Sequence, residues 1–203
     1  MLRANVLIIV GIVGLYVPWH NMAIAKSERQ TSERRMGEKW RGDTALLPQY
    51  CQERAKGSQN PEWIKWRNKF GLQIAMHIHH YCNGIYSEQQ AKLEMDQGKR
   101  SRALGNVIHQ MNYVGSHCDS SCVLYPELHT RLGWALGEKG QVAEAIKHFQ
   151  LAIQAKPTYS LAYARLSDLY VKTNQPAEAR KVLEAGLKAR PDSRSLQRRL
   201  KEL

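Results

Sequence analysis

The densest set of reactive side chains in the sequence is His77-Ile78-His79-His80-Tyr81-Cys82. As metal ligands, His77 and His80 stand three apart on one helical face, as do His79 and Cys82, and His109 or His117 could add a donor. Zinc or copper accepts such sets. The spacing matches neither a paired-ligand pattern nor the C-x-x-C-H of covalent haem. No metal or other cofactor is therefore assigned, and His77 and His80 stand only as candidate ligands. As a nucleophile, Cys82 would need a free thiolate beside a histidine. The favoured reading is structural: the histidines and Tyr81 pack at a junction between helices, with Cys82 in a disulfide.

The redox compartment decides between these readings. Met1 to Asn5 carries Arg3, residues 6–19 form the apolar run VLIIVGIVGLYVPW, and Ala23 and Ala25 precede Lys26 at small-residue positions. That order is the pattern of a secretory signal over 1–25. The competing reading is a membrane anchor, but a run of 14 residues ending near Pro18 falls short of the roughly 20 a spanning helix needs. The expected location is therefore outside the cytoplasm, in a bacterial periplasm. In an oxidising compartment Cys51, Cys82, Cys118 and Cys122 suggest two disulfides among three possible pairings, against the alternative of four buried thiols. Adjacency across the Asp-Ser-Ser loop favours Cys118 with Cys122, which leaves Cys51 with Cys82. A redox pair at Cys118 and Cys122 would have one residue too many for C-x-x-C.

The net charge is +12, and Arg3 is the single charged side chain of the leader. A basic exported chain is drawn to acidic partners or to an anionic membrane surface. Nucleic acid is not expected, because the basic residues are spread without an aromatic stacking platform. No paired acid–base carboxylates, nucleotide loop or serine triad signature is visible, so no catalytic residue is assigned and the chain is not read as an enzyme.

The elements that must position these residues are helical. Residues 26–45 read as a polar, flexible linker. Asn60-Pro61-Glu62 opens a helix, with Trp63, Trp66 and Phe70 on its core face. Two further helices are expected over about 71–93 and 101–114, forming a degenerate repeat within a disulfide-linked region at 46–125. From Pro126 the chain repeats with a period of 34: Leu132 meets Leu166, Leu136 meets Tyr170, Ala145 meets Ala179, Phe149 meets Leu183, Ala152 meets Gly186, and Pro157 meets Pro191. Gly137, Gly140 and Asn174 to Pro176 are expected to break the chain between helices, and the two prolines to close each unit. Leu196, Leu200 and Leu203 form the stripe of a capping helix at 194–203, with Asp192 or Ser193 as its amino-terminal acceptor.

The residues Leu132-Gly133, Leu136, Ala145, Phe149, Ala152 and Pro157, matched by Leu166, Tyr170, Ala179, Leu183, Gly186 and Pro191, resemble the tetratricopeptide repeat. His129 departs from the large apolar residue usual at its position, and Ser167 from the usual glycine. LPQYC and HHYC also look like segments of small exported bacterial proteins of this type, in which two such cysteines precede the repeats. The resemblance implies an all-α fold of antiparallel hairpins, with repeats at 126–159 and 160–193, and a scaffold that binds another protein or peptide. Its inner-face positions fall on Glu127, Thr130, Trp134 and Glu138 in the first copy and on Leu161, Ala164, Asp168 and Lys172 in the second. Trp134 is the candidate anchor, since large rings dominate interfaces. On this reading Trp134→Ala weakens partner capture and leaves thermal stability nearly unchanged.

Overall fold

The computed structural model describes residues 44–203. The expected leader, and all of the linker except Thr44 and Ala45, lie outside the described residues. A short 3-10 turn (Thr44–Leu46) leads into α1 (Gln49–Ala55) and α2 (Pro61–Phe70). Asn60 starts α2 as expected: its Oδ1 accepts from the Glu62 amide at 3.2 Å, and Pro61 occupies the first turn, where a missing N–H costs nothing.

A long hairpin follows, α3 (Leu72–Leu93) and α4 (Gln97–Gly115). The start of α4 lies four residues before the expected Ser101. The Asp96 carboxylate accepts from the Lys99 amide at 2.7 Å and caps the helix there. Two shorter hairpins come next: α5 (Tyr125–Glu138) with α6 (Val142–Ala155), and α7 (Ser160–Lys172) with α8 (Pro176–Ala189). Helix α9 (Arg194–Glu202) closes the array. Among the described residues every regular element is a helix.

The turns obey the 34-residue period atom by atom. Gly140 (φ 79°) and Asn174 (φ 58°) hold the same repeat position, and both adopt the left-handed conformation that glycine and asparagine tolerate best. The next amide in each copy closes onto the last turn, Gln141 to the Leu136 carbonyl at 2.9 Å and Gln175 to the Tyr170 carbonyl at 2.8 Å. Gly137 is not a breaker. It lies inside α5, where an added Cβ would stand 3.1 Å from Leu169 Cδ1, so it is small for packing. The expected cap of α9 is also corrected: Ser193 occupies the cap position without a side-chain cap bond, and the Gln197 amide donates to the Pro191 carbonyl at 2.8 Å.

The first helices of the three hairpins, α3, α5 and α7, lie side by side as one layer, with α4, α6 and α8 behind them. Most of the core is continuous from Leu47 to Leu169, and a smaller cluster of Tyr163, Leu183 and Leu196 seals the far end under α9. Small residues set the spacing between layers. A Cβ at Gly186 would meet Leu196 Cδ1 and Tyr163 Cγ, both at 2.8 Å, whereas one at Gly105 on α4 meets nothing within 4 Å. The two substitutions therefore have opposite signs. Gly186→Ala overpacks, at about 1–3 kcal/mol, more than the ~1 kcal/mol gained in helix propensity. Gly105→Ala keeps that gain and stabilises. Urea unfolding of the two variants checks the pair.

The structure joins Cys51 to Cys82, tying α1 to α3, and Cys118 to Cys122 in the segment between α4 and α5. Cys51 and Cys82 are wholly buried. No helix of the described residues is long and apolar enough to cross a membrane.

Candidate functional site

The layer of α3, α5 and α7 is organised by one carboxylate. Glu88 continues the buried stripe of α3 after Ile78, Tyr81 and Ile85 and is 0% exposed. Its Oε1 accepts from Lys92 Nζ at 2.6 Å and from Arg165 Nη2 on α7 at 2.7 Å, while Oε2 is bonded by Arg131 Nη1 on α5. Arg131 also holds Glu127 at 2.6 Å. Burial opposes ionisation of Glu88, but Arg131, Arg165 and Lys92 outweigh it and bring the carboxyl down to about 2. A single acid thus pins a helix from each of three hairpins. Arg131 and Arg165 are 34 residues apart, the same position of successive repeats.

Beside this hub a cleft of about 230 Å³ opens between α5 and α7. Its floor is apolar, from Gly133, Gly137, Phe149 and Leu169; Trp134 stands in its wall; Glu138, Arg165, Asp168 and Lys172 complete the lining. Trp134 is half-buried. Lys92 Nζ and the Arg165 guanidinium each lie 5.2 Å from its ring centre. Both are bonded to the same Glu88 oxygen. At the rim, Glu138 is held by Arg100 from α4 and by Lys172 at 3.1 Å. Burial works against its ionisation, and the hydrogen bonds from these two cations keep the carboxyl below its usual range. Both oxygens of Asp168 are taken by Arg199 of α9, at 2.8 and 3.1 Å.

Of the eight inner-face positions, Trp134, Glu138, Asp168 and Lys172 meet in this cleft. Thr130 and Ala164 do not reach a free surface. They are 0% and 1% exposed, facing neighbouring helices, and the Thr130 hydroxyl donates to the Pro126 carbonyl of its own helix at 2.7 Å. Glu127 is half-buried against Arg131, and Leu161 is exposed outside the cleft lining. Arg165, Lys92 and Arg100 were not anticipated. The signal available for them was the recurrence of arginine at 131 and 165.

The histidine segment forms an aromatic seam between α3 and α4. The rings of His77 and His117 stack face to face, 3.9 Å apart and 4° from parallel. Tyr113 Oη lies 3.2 Å from His77 Nδ1, and His80 Nδ1 lies 2.7 Å from Gln110 Oε1. Stacked rings do not converge their lone pairs on one point, and among the described residues no three metal-donating side chains come together. The candidate ligands His77 and His80 thus have packing partners here. Cys82, bonded to Cys51, has no thiolate to offer. A second imidazole pair joins α5 to α6, with Nδ1 of His129 and Nδ1 of His148 2.9 Å apart. That contact needs one donor and one acceptor, so the pair excludes double protonation.

Burial, with the neighbouring charges of His80 and Arg54, holds His79 down at about 4. Burial and His148 do the same to His129, also at about 4. His77 is lowered by burial, His117 and His80, and His148 by burial and Lys147. In the unfolded chain these imidazoles titrate near 6.5. As pH falls from about 6.5 to about 4, the unfolded state therefore takes up protons that the folded state refuses, and stability declines. The urea midpoint is expected to drop between pH 7 and pH 5, and less steeply in His129→Phe. A midpoint flat across that window contradicts the assignment.

An all-α array of stacked antiparallel hairpins, with a cleft on the layer of first helices, defines a repeat scaffold. Residues 138–203 match the tetratricopeptide repeat family. That stretch carries tetratricopeptide-type repeat sequence. A relative, the TPR repeat-containing thioredoxin TTL4 of Arabidopsis thaliana, is 30% identical over 115 residues, which cover 54% of this chain and 17% of that protein. The chain thus spans about a sixth of that relative's length. A solved structure of the first TPR of Spaghetti (RPAP3), bound to the HSP90 peptide SRMEEVD, aligns with a TM-score of 0.43 at 19% identity, over 59% of this chain and 91% of that one.

Proposed function

We propose that this protein is a binding scaffold of the cell envelope, holding a segment of another protein on the face made by α3, α5 and α7 and acting by binding, not by catalysis. The cleft beside Trp134 carries this reading, because it joins an aromatic wall, an apolar floor and a polar rim on the exposed side of a rigid layer. Export to a bacterial periplasm is supported by the order of residues 1–25 and by the pairing of all four cysteines. The net charge of +12 supports an acidic partner and contact with an anionic membrane surface.

Trp134→Ala is expected to lower partner capture from a native envelope extract by at least about tenfold. The structure revises the accompanying stability expectation. The ring packs on Lys92 and Arg165, so its loss costs about 1–2 kcal/mol, and capture is compared at a temperature where both proteins are folded. Partners identified by mass spectrometry in equal amounts with wild type and variant would remove the cleft from the binding surface.

A further inference from the structure

The charges around the cleft do not balance. Glu88 is shared by three cations, Lys92, Arg131 and Arg165, and Glu138 by two, Arg100 and Lys172; Arg131 has Glu127 as its second acid. Five cations therefore converge on three carboxylates, while Asp168 and Arg199 neutralise each other. Every acid on this face is engaged. On the cation side, Lys172 is 53% exposed at the rim, while Arg165 Nη1 is buried without a hydrogen-bond partner among the described residues. A face built this way repels a basic segment and attracts an acidic one.

The apolar part sets the second requirement. Trp134 lines the cleft together with Arg165, whose guanidinium lies against its ring. There, Gly133, Gly137, Phe149 and Leu169 provide a floor without charge. A cleft of about 230 Å³ has room for a large apolar side chain. Resting on the binding-scaffold reading, we infer that the occupant is a protein segment carrying a large apolar residue flanked by carboxylates. The apolar side chain enters against Trp134, and the carboxylates face Lys172, with the buried Arg165 adding positive potential. Lys172 and Arg165 then set the charge preference, and Trp134 sets the requirement for an apolar anchor.

The test uses four labelled ten-residue peptides on the full protein: one leucine flanked by glutamates, the same peptide with glutamines, the same with lysines, and the glutamate peptide with leucine replaced by serine. Binding is read by fluorescence anisotropy and by the ¹⁹F resonance of Trp134 in fluorotryptophan-labelled protein, assigned with Trp134→Phe. The glutamate–leucine peptide is expected to shift the Trp134 resonance and to bind about tenfold more tightly than the glutamine peptide. It should weaken steeply with salt and weaken about fivefold or more in Lys172→Glu, a rim substitution outside the buried Glu88 cluster. The lysine and serine peptides should leave Trp134 unmoved. Equal or tighter binding of the glutamine or lysine peptide at Trp134 overturns the charge assignment and leaves the scaffold reading standing. A Trp134 resonance unmoved by every peptide removes both.

Discussion

Glu88→Ala is expected to lower the free energy of unfolding at pH 7 by about 3–5 kcal/mol, the largest effect of any single side chain on this face. The acid is wholly buried and carries bonds from Lys92, Arg131 and Arg165. Removing it takes a shared carboxylate from two arginines whose side chains are each only 14% exposed. Arg131 retains Glu127, but Arg165 is left against the Trp134 ring without its counter-charge. The pH dependence supplies a second signature. With the folded carboxyl at about 2 against a reference of 4.5, its contribution is full above pH 4.5 and is lost as pH falls towards 2. Glu88→Ala should lack that part of the acid limb. A loss below about 1 kcal/mol would mean that the three helices are held by apolar packing alone. Because Glu88 fixes α3, α5 and α7 relative to one another, the variant should also capture its partner poorly even where it remains folded.

The second large effect is expected from Cys51→Ser with Cys82→Ser. This bridge spans 31 residues and fastens α1 to α3, whereas Cys118–Cys122 spans 4. On the loop-entropy scale the longer bridge contributes about 4 kcal/mol and the shorter about 2. The damage should be local first. Tyr50 meets Trp66 and Phe70 edge to face and stacks on Tyr81, and without the covalent tie this amino-terminal cap opens before the repeats do. Hydrogen exchange of α1 and α2 in the double variant should rise well ahead of α5 to α8. Uniform loss of protection across all nine described helices would show instead that the bridge is part of one cooperative unit.

Much of the fold follows from the sequence because its repeat is a backbone repeat. A left-handed residue, a closing amide bond and a following proline recur every 34 residues at Gly140 and Asn174, Gln141 and Gln175, Pro157 and Pro191. Side chains at Ala145, Ala152, Ala179 and Gly186 had to be small because helices cross there. The site was only half legible for a related reason. Helical spacing places residues on a face to within about one position, but it does not say where the neighbouring hairpin ends and solvent begins. Trp134, Glu138, Asp168 and Lys172 fell on the open side of that line, and Thr130 and Ala164 on the closed side. Glu88 was missed because a charged residue in a helix is ordinarily solvated. Its place in the stripe of Ile78, Tyr81 and Ile85, with an arginine repeated at 131 and 165, was the available clue. The histidine segment drew attention through its residue types, yet ligand chemistry depends on ring orientation, which one-dimensional spacing does not carry.

Photocrosslinking in the native cell tests the binding face most directly. A benzoylphenylalanine in place of Lys172, at the rim of the cleft, is expected to yield a discrete protein adduct. The same group in place of Lys181, exposed on the outer helix α8, should yield none. Adducts from position 181 with none from 172 would place the partner on the opposite surface and contradict the proposed site.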